Sequence, residues 1–333
     1  MVAGTEQFSA RNAIDQDIIE LNDAFTILKG GHTFTIGTHN EFFKFRNLFI
    51  QNSFGNYEFA SIDQFAAGVA QSYQHSFSLT DDPQQAAAFS VYQFGLYVGD
   101  QWRMRPSFTL TYGLRWDKPV FPDTPTANPA AVALYGFRTD IVPSPSQWSP
   151  RVGFNWDLGG QTKQQLRGGI GSFTGPPPFV YLSNAFGNSG LSGYNALTCS
   201  GTNATNGPPP FNAANIANPP TTCVATGTAT PLSATASANI ATIDPNFRFP
   251  QYQKISMGYD HRFANGLVSS LEGLYTKAMS NPFYTNLALA GPQGRDRNGR
   301  VLYGVLTSTG GSATFQGGRQ QVIDVTDVHG DYT

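Results

Sequence analysis

Between Phe94 and Asp117 apolar and polar side chains alternate with a period of two through two successive runs. In the second run Phe108, Leu110, Tyr112, Leu114 and Trp116 are apolar, and Thr109, Thr111, Gly113, Arg115 and Asp117 are small or polar. Successive side chains on a strand point to opposite faces, so this run has one wholly apolar face and one wet face. The first run is less clean. Phe94, Leu96, Val98 and Trp102 oppose Gln93, Gly95, Gly99, Gln101 and Arg103, with Asp100 breaking the apolar side and Tyr97 standing on the wet one. Met104-Arg105-Pro106-Ser107 between them is short and holds a proline that cannot donate to a ladder. Each arm is about ten residues long, which is what a tilted strand needs to cross a bilayer. Trp102 and Trp116 fall near strand ends, where aromatic girdles sit. The pattern predicts a membrane-spanning β-hairpin.

Other runs repeat the alternation. Ile19, Leu21, Phe25 and Ile27 oppose Glu20, Asn22, Ala24 and Thr26, interrupted by Asp23. After Lys29-Gly30-Gly31 come Phe34 and Ile36 against Thr33, Thr35 and Gly37, trailing into Phe42-Phe43-Lys44-Phe45. Val152, Phe154 and Trp156 oppose Gly153, Asn155 and Asp157, and the chain then turns toward Leu166-Arg167-Gly168-Gly169-Ile170-Gly171. Ile255, Met257, Tyr259 and Phe263 lead to the turn Ala264-Asn265-Gly266, followed by Leu267, Leu271 and Tyr275 on one face. Short turns near 29–31, 103–107, 159–164 and 264–266 alternate with long segments near 46–91, 118–148, 174–249 and 278–299. Tight periplasmic turns and long extracellular loops give an outer-membrane barrel this rhythm. Loops of that length would be unusual in a compact soluble domain. The fold class is therefore all-β, an antiparallel transmembrane barrel of roughly ten to twelve strands, with residues 1–333 forming one partial barrel domain.

Composition agrees. Charged residues are 13% and aromatics 13% of the 333, and the mean hydropathy of -0.25 averages each apolar residue with a polar neighbour. No run of about 18 apolar residues exists, so no transmembrane helix is predicted. The net charge of -2 gives no support for a nucleic-acid partner. Met1 to Ala10 lacks a basic region followed by an apolar core. An export signal is therefore expected upstream of this sequence, in keeping with a fragment.

Residues 175–249 form a Gly/Pro/Ala/Thr-rich stretch with Pro176-Pro177-Pro178 and Pro208-Pro209-Pro210, expected to bury no core and to be a mobile loop. Cys199 and Cys223, the only cysteines, lie within it with no nearby histidine. A disulfide is preferred over two free thiols, and zinc is not expected. Asn203-Ala204-Thr205 matches a glycosylation acceptor by chance. No cofactor, metal site or enzyme activity is expected. The five histidines do not cluster at ligand spacing, and Asp81, Asp82 and Asp296 read as solvated loop charge. Gly168-Gly169-Ile170-Gly171 lacks the strand-to-helix context of a phosphate loop; on a barrel wall glycine lets neighbouring groups approach. Arg103, Arg115, Arg151 and Arg167 are the notable wall charges. The alternation puts Arg115, Asp117 and Arg167 on the lumen face, where pairing with each other or with a plug is favoured over a direct ligand role. Ligand contacts are expected instead from the loop aromatics Phe179, Tyr181, Phe186 and Tyr194.

Several stretches together resemble TonB-dependent outer-membrane receptors, in particular the Oar-like group. They are Gly30-Gly31-His32-Thr33-Phe34, Gly99-Asp100-Gln101-Trp102-Arg103, Leu110 to Asp117, Ser149-Pro150-Arg151-Val152-Gly153-Phe154-Asn155-Trp156 and Leu166 to Gly171. The resemblance runs from about Asp17 to beyond Lys277. It implies a barrel of about 22 strands with a plug in the lumen, set in outer-membrane lipid at the cell surface. It also implies uptake of an unknown ligand, energised by the TonB complex through an N-terminal plug that this sequence does not show. Two rivals remain: a structural or adhesive outer-membrane protein that binds through its loops, and a soluble secreted all-β binding protein.

Overall fold

The computed structural model describes residues 1–333 except 79, 160, 162, 176–177, 192–193, 201–206, 224–239, 288–291, 296, 304, 310–311, 317–321 and 329–333. The Asn203-Ala204-Thr205 motif, Asp296 and the Ala/Thr/Ser run lie outside the described residues. Eight long strands build the wall: β1 (Asn12–Lys29), β2 (His32–Phe49), β3 (Ala87–Arg105), β4 (Phe108–Val120), β5 (Gln147–Asp157), β6 (Gln164–Thr174), β7 (Gln251–Arg262) and β8 (Val268–Asn286). Each pairs antiparallel with the next in sequence. Val322–Val328 then pairs antiparallel with the end of β8, and Ile240–Ile243 pairs parallel with it, which completes a ten-stranded sheet. Among the described residues this sheet stays open, and all of β1 is exposed.

Register turns the alternating pattern into two continuous faces. Phe25, Ile36, Val98 and Leu114 stand opposite one another across β1 to β4, and Tyr112, Val152, Ile170, Ile255 and Tyr275 do the same across β4 to β8. These side chains are exposed, Ile36 at 59% and Val98 at 52%. Nothing among the described residues covers this row, and lipid is the solvent that suits it. All four tryptophans edge the same face. Trp102 and Trp156 stand at the tight-turn end; Trp116 and Trp148 sit opposite each other at the loop end, with ring centroids 6.5 Å apart. From Trp148 to Trp156 is roughly 27 Å along the strand, comparable with the apolar band of about 25 Å in outer-membrane barrels.

The tight turns fall where the sequence placed them. Gly30 takes φ 60° and Gly266 φ 86°, left-handed values that glycine adopts without penalty. The strands run further than the apolar pattern, with β2 reaching Phe49 and β8 reaching Asn286.

The expectation that 175–249 buries no core is overturned. A helix, Phe179–Gly187, lies on the inner face of β2 and β3, where Phe43, Phe45, Phe89, Val91 and Phe179 form one buried cluster. Phe186 stacks on Phe89 at 4.2 Å. A second cluster joins Leu182 and Ala185 of this helix to Ile243, Phe247 and Phe249. The peptide carbonyl of Phe249 accepts hydrogen bonds from Gln147 (2.9 Å) and Ser280 (2.6 Å), tying the segment to β5 and β8. Average composition concealed this because the apolar residues gather at the two ends of the segment, and the wall supplies the other half of each core.

A separate four-stranded antiparallel sheet is built from the first residues and two of the long segments, in the order Val2–Gly4, Asn56–Glu58, Ser72–Ser78, Tyr194–Ser200. Tyr57, Phe59, Tyr73 and Cys199 are its buried core. A disulfide joins Cys199 to Cys223, with Cα atoms 5.5 Å apart. Tyr73 donates its hydroxyl proton to the carbonyl of Pro220, and His75 Nδ1 lies 2.9 Å from the same oxygen.

Candidate functional site

The polar face of the wall forms a cleft of about 850 Å³ lined by β1 to β6. Thr33, Thr35, Gln93, Gln101 and Thr111 give it hydroxyl and amide groups, and Tyr97 gives it one aromatic ring. Thr111, Gly113, Arg115 and Asp117 of β4 all line it, as alternation along that strand requires. Two glycines on this face make room for larger neighbours. A Cβ on Gly37 would strike the Tyr97 ring, and one on Gly95 would strike the Arg115 guanidinium.

Charge on this face is largely neutralised in place. Arg115 donates from Nε to both oxygens of Asp117, at 2.8 and 3.0 Å, and Asp117 is almost fully buried. Arg167 reaches across two strands to pair with Asp260 and Glu272. His39 lies 3.5 Å from each of Glu20 and Glu41. Two inner-face cations share one aromatic ring instead. Arg151 stands 5.4 Å and Lys254 5.6 Å from the centre of the Phe173 ring, and among the described residues neither pairs with a carboxylate.

The opposite face is broken by Asp23 in β1 and, with more partners, by Asp100 in β3. Asp100 accepts a hydrogen bond from the Tyr112 hydroxyl at 2.8 Å and meets His32 Nδ1 at 2.7 Å. The His32 ring stacks between Phe34 and Trp102, at 5.1 and 5.0 Å. The carboxylate thus interrupts the apolar face at the level of the turn-end girdle, where an interfacial polar group is tolerated.

The residues singled out from the sequence are placed as follows. Arg115, Asp117 and Arg167 share the inner face and are engaged with one another or with neighbouring wall carboxylates. Phe179 and Phe186 pack into the wall. Tyr181 stays 43% exposed, its ring 5.4 Å from Tyr284. Tyr194 pairs with Ser78 in the four-stranded sheet, where burial raises its phenol pKa. The four aromatics therefore do not make one cluster. Lys254 and Phe173 escaped the sequence reading. The signal was present, because extending the alternation of Arg167 and Gly169 puts Phe173 on the wet face, the same irregularity that Tyr97 shows in β3. Among the described residues no group of three or more His, Cys, Asp or Glu side chains is placed to hold a metal ion.

An antiparallel sheet with an apolar, tryptophan-edged outer face, a wet inner face and all tight turns at one end is the wall of a transmembrane β-barrel. The chain belongs to the family described as "Outer membrane beta barrel domain", whose model matches residues 2–321, and the protein resides in the cell outer membrane. Among curated proteins the sequence has no match. Solved structures similar to it include the outer membrane transporter YddB from Escherichia coli (11% identity, TM-score 0.46, 94% of this chain and 28% of that one). Others are the siderophore receptor PirA from Acinetobacter baumannii (10%, 0.43, 95% and 33%) and the FrpB iron transporter from Neisseria meningitidis (12%, 0.41, 85% and 30%). The chain spans about a third or less of the length of these three structures.

Proposed function

We propose that this chain is the barrel wall of a TonB-dependent, Oar-like receptor that binds a ligand at the cell surface and admits it along the inner face. In the intact receptor, energy would arrive from the TonB complex through a plug domain. The observation that carries this reading is the helix Phe179–Gly187, folded inward from a long loop onto the inner face beyond a hydrated wall. A hydrated cleft of about 850 Å³ on the same inner face gives a polar solute a surface to follow. The motif resemblance from Asp17 to beyond Lys277 points the same way.

The test is depletion of solutes from a defined mixture of oligosaccharides, peptides and metal chelates. It compares the parent strain, a strain lacking the complete gene, and a strain lacking TonB. Loss of depletion of the same solute in both mutants is the expected result. Depletion unaffected in both, together with lost attachment to surfaces in the gene deletion alone, would favour the adhesive reading.

A further inference from the structure

We propose that Arg151, Phe173 and Lys254 form an anion-binding subsite on the inner wall, which takes the carboxylate or phosphate groups of a solute. Register brings the three together. Arg151 of β5 and Lys254 of β7 are the direct partners of the same residue, Gly171 of β6, one from each side. Three adjacent strands thus present cation, glycine, cation in a row, with the two cationic residues' backbones about 10 Å apart at ordinary strand spacing. Gly171 has no side chain, so the Phe173 ring, two residues along the same face, lies back into the gap. A Cβ on Gly171 would sit 2.9 Å from the Arg151 Cβ and 3.2 Å from the Phe173 ring.

The ring faces of aromatics attract cations, so Phe173 holds both head groups toward itself without neutralising them. Phe173 is 38% exposed and both cations are exposed, so the trio is open to a solute. Arg103 and Arg262 also lack a carboxylate partner among the described residues, but they lie at the tight-turn end, and Arg151 and Lys254 are the two wall cations that share one ring. Arg115 is satisfied by Asp117, and Arg167 by Asp260 and Glu272, while Arg151 and Lys254 keep unspent charge. Two like charges held near one ring repel. An anion between them removes that repulsion and gains charge-assisted hydrogen bonds. Arg151 also lines the inner cleft, so an anion bound here sits at its edge. Binding at this subsite does not depend on how uptake is energised.

The experiment uses the full-length receptor in detergent micelles and titrates it calorimetrically with citrate, with pyrophosphate and with maltotriose as a neutral control. Citrate or pyrophosphate is expected to bind, more weakly as ionic strength rises, and maltotriose is expected not to bind. Arg151→Gln and Lys254→Gln should each weaken anion binding about tenfold or more. Arg46→Gln, the same charge change on the outer side of β2, should leave it unchanged. Phe173→Leu, which removes the ring while keeping both cations, should weaken it too. Heat-modifiable migration on gels confirms that each variant has folded. The proposal is overturned if neither anion binds the wild-type protein at millimolar concentration, or if binding survives both Arg151→Gln and Lys254→Gln. It is equally overturned if anions fail to bind and Arg151→Gln lowers the unfolding midpoint, because the cations then serve an acidic side chain of the receptor itself. All these readouts are independent of TonB, so failure here leaves the uptake reading to its own test.

Discussion

Tyr97 of β3 and Gly37 of β2 are direct register partners, and the tyrosine ring occupies the space a side chain at Gly37 would need. Gly37→Val should therefore force the ring out or spread the strands, costing about 1–3 kcal/mol. Tyr97→Ala in the same chain should recover only the part due to the ring, because a Cβ at position 37 also meets the Asp23 carbonyl oxygen at 2.6 Å. Urea unfolding in micelles measures both. A glycine needed only for backbone freedom would show no such recovery.

The two faces of β4 should respond oppositely to charge. Leu110→Arg or Leu114→Arg puts a guanidinium against lipid and should cost about 2–4 kcal/mol near the midplane. Thr111→Arg, in the hydrated cleft, should be much milder. Refolding into vesicles compares the three, and equal effects would sink the assignment of inside and outside.

Reduction of Cys199–Cys223 should loosen the four-stranded sheet and spare the wall. The bridge closes a separation of 24 residues, worth roughly 3 kcal/mol on the chain-entropy account. Limited proteolysis of a Cys199→Ser/Cys223→Ser variant should cleave within 50–86 or 194–223, while strands β2 to β7 stay protected.

Acid should weaken the same sheet through His75. This side chain is buried, and burial, outweighing its hydrogen bonds to backbone carbonyls, holds its pKa below the usual histidine value. The unfolded chain takes up the proton first, so stability is full above an ordinary histidine pKa of about 6.5 and falls as pH drops through the folded value. Hydrogen-exchange protection factors at Ser72–Ser78, corrected for the intrinsic rate, should fall between neutral and mildly acidic pH. His75→Gln should flatten that fall.

The wall was legible because a strand in lipid must show its environment at every second residue. Leu110, Tyr112 and Leu114 had no alternative face, and the turns at Gly30-Gly31 and Asn265-Gly266 carried their own backbone signal. The loops were not legible by the same rule. Phe179, Phe186, Phe247 and Phe249 find their partners on the wall at Phe43, Phe45 and Phe89 or on one another, contacts that no local periodicity encodes. Arg115 and Asp117 could be paired from their spacing along one strand, but the partners of Arg167 could not, since Asp260 and Glu272 lie some hundred residues on in the chain. The cation pair at Phe173 needed register, because only the ladder shows that Arg151 and Lys254 share Gly171.

The helix seated on Phe43, Phe45, Phe89 and Val91 has a consequence for salts. Along β2 and β3 an ion can keep its hydration shell against threonine and glutamine, but at the phenylalanine collar no dipole replaces the water it must shed. The loop helix thus turns one stretch of a hydrated wall into a surface that small ions gain nothing by touching.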